Sequence, residues 1–177
     1  IIPFLGIPGD VWGIPVQNLI IIAIFAIASY TDHLDGKIAR KRNLVTTFGK
    51  FADPLADKIL VLSAMLMLVE MDYLPAWIPI IVLAREFVVS GYRLVAVEKG
   101  GKVIAASIWG KIKTCTQMIA IILAFLDLNS FGAFISGNLT GYSLVINVLS
   151  SSLMLISTIA AVFSGVDYLK GGKELLK

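Results

Sequence analysis

Four aspartates set the chemistry open to this chain. Asp32 and Asp35 stand three residues apart, Asp53 and Asp57 four apart, and Lys37, Arg40, Lys41, Arg42 and Lys50 lie between the pairs. At about 100° per residue on a helix, Asp32, Asp35, Gly36, Ala39 and Arg40 fall within one arc of about 140°. Two acids, two small residues and a guanidinium therefore share a face. Gly49, Asp53 and Asp57 recur every four residues and form a stripe with a glycine one turn before the first acid. Four carboxylates gathered this closely stay ionised only with cations between them. The donor set has no Cys and a single nearby His33, which is read as an interfacial residue, so it suits a hard ion, Mg²⁺ or Mn²⁺, better than zinc. Four acids suit two ions better than one, and such a pair clamps the attacking and leaving oxygens of an in-line displacement at phosphorus. Arg40 on the same face offers a fork donor for a phosphate oxygen.

The elements that must carry these residues are membrane helices. Hydrophobic residues make up 58% of the 177 positions, and the mean hydropathy is +0.88, well beyond a soluble domain. A carboxylate in hydrocarbon costs about 2.5 to 3.5 kcal/mol, which makes a wet, cation-filled cavity the natural setting for four. About twenty apolar residues are needed per crossing. Val11 to Thr31 is free of charge and gives a first crossing from near Gln17 that ends at the first acid pair. A second runs from near Thr47 to Glu70, a third from Leu74 to about Val97, a fourth from about Ser107 to about Leu128. After a loop marked by Asn129, Gly132, Gly137, Asn138 and Gly141, a fifth starts near Ser143. Ile1 to Leu5, followed by a Gly/Pro-rich loop from Gly6 to Pro15, is expected to be the tail of a truncated first helix.

The expected architecture is thus an all-α polytopic transmembrane bundle, a single catalytic domain over residues 1–177. Lys37 to Lys50, Lys99 with Lys102, and Lys170, Lys173 and Lys177 fall in alternate connections, while Asp10, Glu70, Asp72 and Asp127 occupy the others. The excess of Lys and Arg places the acid motif on the cytoplasmic side of the cell membrane. Membrane-flanking Lys and Arg also account for the net charge of +3 without nucleic acid. Cys115 is alone, which excludes an intrachain disulfide, and is read as a small packing residue. Trp12, Trp77 and Trp109 lie near span ends, as an aromatic belt requires.

At these residues a resemblance becomes specific. The pattern D-x2-D-G-x2-A-R-x8-G-x3-D-x3-D is matched at every fixed position by Asp32, Asp35, Gly36, Ala39, Arg40, Gly49, Asp53 and Asp57. It resembles the signature of the CDP-alcohol phosphotransferase family, whose six-helix fold fits five crossings plus a truncated first. The resemblance implies that Asp32, Asp35, Asp53 and Asp57 ligate two divalent cations, Mg²⁺ or Mn²⁺, and that Asp57 takes the proton from the attacking hydroxyl. Gly36, Ala39 and Gly49 would line the pocket for the CDP-lipid, with Asp32 beside it and Arg40 on the diphosphate. Attack on the lipid-side phosphorus would expel CMP. Residues 49–58, 84–87 and 110–114 resemble the branch of the family whose donor is CDP-diacylglycerol and whose acceptor is glycerol 3-phosphate. Homodimers are common in the family, so a homodimer in the lipid bilayer is the expected assembly. The N-terminal Asn, Thr and Arg usual in this branch have no counterpart before Ile1, so those nucleotide contacts stay unassigned.

Glycerol 3-phosphate is a dianion and needs cations beyond those serving the donor. Arg85, Arg93, Lys111 and Lys113 are the candidates for its phosphate. Lys111 and Lys113 lie about 200° apart on a helix, so one of them should reach lipid headgroups instead. Arg85 has the alternative of pairing with Glu86, Arg93 that of an interfacial anchor, and Lys58 either tunes Asp57 or meets headgroups. Three other readings stay open: a sister transferase of the cardiolipin, inositol phosphate or serine type, an ion- or proton-coupled transporter, and a scaffold. A transporter predicts acids spread through the bilayer depth and repeated halves, whereas here they cluster at one side and no repeat is visible. A scaffold gives no reason to keep four mutually repelling acids.

Overall fold

Long Ile, Leu, Val and Ala runs separated by short Gly, Pro and Asn clusters leave little choice but helices joined by tight turns. A computed structural model describes residues 9–11, 14–41, 47–98, 108–127 and 129–171. For residues 32, 33, 35–37, 39–41, 47–57, 93, 94, 96–98 and 171 that description is of the backbone alone. Among the described residues the fold is all-helical apart from one small hairpin. In it β1 (Asp10–Val11) pairs antiparallel with β2 (Ile14–Pro15), Val11 opposite Ile14. Then follow α1 (Val16–Lys41), α2 (Thr47–Glu70), α3 (Trp77–Glu98), α4 (Ile108–Leu126), a 3₁₀ turn at Ala133–Ser136 and α5 (Gly141–Gly171).

The helix bounds follow the sequence closely, with two additions. Part of the expected Gly6 to Pro15 loop is the hairpin, closed by the Val16 amide donating to the Gly9 carbonyl at 3.1 Å. The connection before α5 contains the 3₁₀ turn, flanked by Gly132 at φ 74° and Gly137 at φ 71°, conformations that favour glycine. α2 ends in a Schellman arrangement: the Tyr73 amide donates to the Leu68 carbonyl at 2.9 Å and that of Asp72 to Val69 at 3.1 Å. Asp72 takes the left-handed position at φ 58°, which a short polar side chain tolerates better than most. α3 accepts Pro79 in its first turn, where no helical donor is lost. Pro54 lies deeper, in the second turn of α2, and deprives the Lys50 carbonyl of its helical donor.

All five helices contribute to one core. Ile21 and Phe25 of α1, Met65 and Leu68 of α2, Ile78 and Val82 of α3, Ile121 and Phe125 of α4, and Met154 and Ala161 of α5 are buried together. α4 and α5 make the most extensive helix pair, and α1 packs on both α2 and α4. The outward faces are apolar as well. Ile24, Ile27, Ile80, Phe87, Ile119 and Ile159 are each more than half exposed, the inverse of a water-facing helix. Among the described residues, α4 and residues 141–170 of α5 are long and apolar enough to cross a membrane, and Val16–Thr31 forms a shorter apolar stretch. α2 and α3 carry more charge because they hold Asp53, Asp57, Lys58, Arg85 and Glu86.

Candidate active site

The motif residues fall on two continuous helices. Asp32, Asp35, Gly36, Ala39 and Arg40 all lie within α1, and Gly49, Asp53 and Asp57 within α2, so the backbone periodicity that puts each set on one face applies without a break. α1 and α2 pack against each other. The side chains of these eight residues, and that of Arg93, are outside the described ones. Among the described residues no group of three or more His, Cys, Asp or Glu gathers in a way that would hold a metal.

One residue past Asp57, the described structure opens on a cluster of charge. Glu86 of α3 is its centre. Arg85 Nη1 donates to Glu86 Oε1 at 2.7 Å, and Lys113 Nζ of α4 donates to the same oxygen at 2.9 Å. Lys58 Nζ of α2 lies 3.5 Å from Glu86 Oε2 and also donates to Ser90 Oγ. Arg85 Nη2 donates to Ser164 Oγ of α5 at 2.6 Å. Three helices thus meet at one carboxylate, and α5 joins through Arg85. Side-chain exposure rises from 8% at Lys113 through 15% at Glu86 to 33% at Lys58, so the cluster opens toward the α2 residue that follows Asp57.

Its charge is unbalanced. Among the described residues three cations face one carboxylate, an excess of two positive charges in a partly buried place where unpaired charge is costly. Arg85 Nε is buried and has no hydrogen-bond partner among the described residues. A buried donor left unsatisfied costs about 1 to 3 kcal/mol. Surplus positive charge with a spare buried N–H is the pattern of an anion site, and two negative charges would balance it.

The sequence candidates divide here. Arg85 and Lys113 come together, and Arg85 pairs with Glu86 while keeping a donor free. Lys111 is exposed on the other side of α4, as the 200° offset requires, and stays away from the cluster. Cys115 is exposed too, which corrects its reading as a packing residue: its position on α4 turns it outward, away from Lys113 and Gln117. Trp109 stacks on Phe163 with ring centroids 5.1 Å apart, and Trp77 meets Phe131 edge-on at 6.4 Å. Sequence reasoning missed Glu86 as a hub and Ser90 and Ser164 as its supports. Glu86 itself, a carboxylate beside Arg85 in the otherwise apolar middle of α3, was the available signal for the first.

A second polar cluster closes the far end of α4. Asp127 Oδ2 accepts from Asn147 Nδ2 at 2.7 Å and Ser150 Oγ at 2.9 Å, while Oδ1 accepts from the Asn129 amide at 3.1 Å and its Nδ2 at 3.0 Å. Asn147 Oδ1 in turn accepts the Phe134 amide at 2.8 Å, and Ser151 Oγ accepts that of Gly132 at 2.9 Å. The adjoining cavity has only about 10 Å³ of room, too little for a ligand.

The sequence matches the CDP-alcohol phosphatidyltransferase family over residues 2–163. A CDP-diacylglycerol–glycerol-3-phosphate 3-phosphatidyltransferase of Bacillus subtilis is 43% identical over 164 residues, covering 93% of this chain and 79% of that protein. The relative of the same name in Haemophilus influenzae is 35% identical over 169 residues, covering 92% of this chain and 83% of its own length. A probable phosphatidylglycerophosphate synthase of Mycobacterium tuberculosis is 40% identical over 146 residues, 82% of this chain, and the chain spans only 62% of that relative.

Proposed function

Because this chain belongs to the CDP-alcohol phosphatidyltransferase family and is a transferase, we propose that it moves the phosphatidyl group of CDP-diacylglycerol to glycerol 3-phosphate. The products are phosphatidylglycerophosphate and CMP, a step of phospholipid biosynthesis. The names of its relatives support both substrates. The observation that carries the reading is the adjacency of two features: the acid motif on packed, unbroken helices, and the cationic cluster that begins at Lys58, the residue after Asp57.

In this reading residues 1–177 form one catalytic domain that crosses the cell membrane several times as a helix bundle of the six-helix family type, with the motif facing the cytoplasm. The family is generally dependent on divalent metal ions. Asp32, Asp35, Asp53 and Asp57 fit that requirement as an all-carboxylate donor set spaced i, i+3 and i, i+4 on neighbouring helices. Two such ions, when bound, supply charge neutralisation at the diphosphate. Gly36, Ala39 and Gly49 leave room for the nucleotide to approach backbone, and Arg40 holds the diphosphate. Asp57 accepts the proton of the acceptor hydroxyl as its oxygen bonds to the lipid-side phosphorus, and the bond from that phosphorus to the CMP oxygen breaks. Arg85 and Lys113 hold the acceptor phosphate, whose two charges match the surplus of the cluster. Arg93 is placed by the same reading at the edge of that pocket, whereas Lys111 serves headgroups. The assembly is a homodimer.

Purified protein supplied with Mg²⁺ or Mn²⁺ and CDP-diacylglycerol should release CMP only when an acceptor is present. In a panel of glycerol 3-phosphate, phosphatidylglycerol, inositol phosphate and serine, glycerol 3-phosphate should be the productive one. Turnover confined to another member of the panel would reassign the acceptor.

A further inference from the structure

We propose that Glu86 is a positioning residue for the acceptor: its two carboxylate oxygens gather Lys58, Arg85 and Lys113 into one array and tie that array to the helix of Asp57. The inference deepens the reading above and rests on it. Oε1 takes both Arg85 and Lys113, and Oε2 faces Lys58. The division has a consequence. Two cations from α3 and α4 that converge on one oxygen would repel each other without it, and a lysine stem with four rotatable carbons would carry its charge away toward water or headgroups.

Glu86 also sets the count of charge. Among the described residues it offsets one of three cations, which leaves two, the charge of a phosphate dianion. Ser164 fixes the other arm of Arg85 at 2.6 Å, so the guanidinium is held from two sides while its buried Nε has no partner among the described residues. Through Lys58, the same carboxylate fixes α2 one residue past Asp57, so a bound acceptor phosphate and the proton-accepting group are referenced to a single anchor. Glu86 touches neither phosphorus nor the reacting hydroxyl in this scheme. It acts through the residues that do.

The test is steady-state kinetics of the purified full chain in detergent micelles, with the two substrates varied separately. Glu86→Gln keeps the shape and one acceptor oxygen but removes the charge. It should raise KM for glycerol 3-phosphate about tenfold or more, with KM for CDP-diacylglycerol within about twofold of the parent. Glu86→Asp, which restores the charge on a shorter stem, should recover part of the loss. Ser164→Ala, a milder change that leaves all charges in place, should raise the same acceptor KM about fivefold and keeps the proposal testable if Glu86→Gln does not fold. A purely structural role would lower thermal stability with the acceptor KM unmoved in the folded fraction, or raise both KM values together, and either result overturns the proposal. Failure of the underlying reading looks different: the parent protein itself would not turn over glycerol 3-phosphate.

Discussion

Glu86 and Asp127 are both acids enclosed by apolar helices, and their surroundings differ in kind. Asp127 accepts four hydrogen bonds, from Asn129, Asn147 and Ser150, all neutral donors. Glu86 meets Lys58, Arg85 and Lys113. They lie toward opposite ends of the bundle: Lys113 and Asp127 are fourteen residues apart along α4, about 21 Å at 1.5 Å per residue. The Asp127 carboxylate has both oxygens filled, the cavity it lines has only about 10 Å³ of room, and it anchors the loop between α4 and α5. Among the described residues the Glu86 cluster has charge left over, a donor left over, and an opening toward α2. A buried acid whose valences are filled by neutral groups stabilises a fold, whereas one outnumbered by cations leaves work for a ligand. Breaking each should therefore have different consequences.

The largest effect is expected next to the cationic end. Asp57→Asn should lower kcat for CMP release by about a thousandfold, since it removes both the proposed proton acceptor and a proposed ion ligand; unchanged metal-dependent release would remove that role. Next, Lys113→Met should raise KM for glycerol 3-phosphate between about tenfold and a hundredfold, the worth of a hydrogen bond to a charged group. KM for CDP-diacylglycerol should not follow it. Equal changes in both would erase the distinction between donor and acceptor sites.

At the saturated end the readout changes from kinetics to stability. Asp127→Ala strips Asn129, Asn147 and Ser150 of their acceptor and should cost about 3 kcal/mol, visible as a lowered Tm in detergent. Activity per folded molecule should stay near the parent value. An acceptor KM that rose with Asp127→Ala would mean the two ends are coupled. Smallest of all, Gly132→Ala, at φ 74°, should cost about 1 kcal/mol of stability and leave both KM values alone.

How much of this was legible beforehand depends on the range of the signal. The spans of α1 and α2 and the faces carrying the motif could be read because helical periodicity is local, and a span from near Thr47 to Glu70 agrees with α2. The 200° offset between Lys111 and Lys113 required that one point away, and only packing against Glu86 decides that Lys113 is the buried one. Ser164 lies 79 residues from the Arg85 it supports, and nothing in the local pattern of α5 marks it among the other buried serines of that helix. Cys115 shows the same limit from the other side: an apolar context suggests packing, but in a bundle with apolar outer faces it does not say which face is inside. The hairpin of β1 and β2 was hidden because its two-residue strands are too short to show alternation.

The account turns on the aspartates of α1 and α2 holding divalent ions beside the cationic cluster. Titration of the purified protein with Mn²⁺, followed by electron paramagnetic resonance in the presence of CDP-diacylglycerol, measures that directly. Two ions bound per chain are expected, with both lost when Asp32, Asp35, Asp53 and Asp57 are changed together to Asn and both retained in Asp127→Ala. Manganese binding that survived the fourfold change would contradict it.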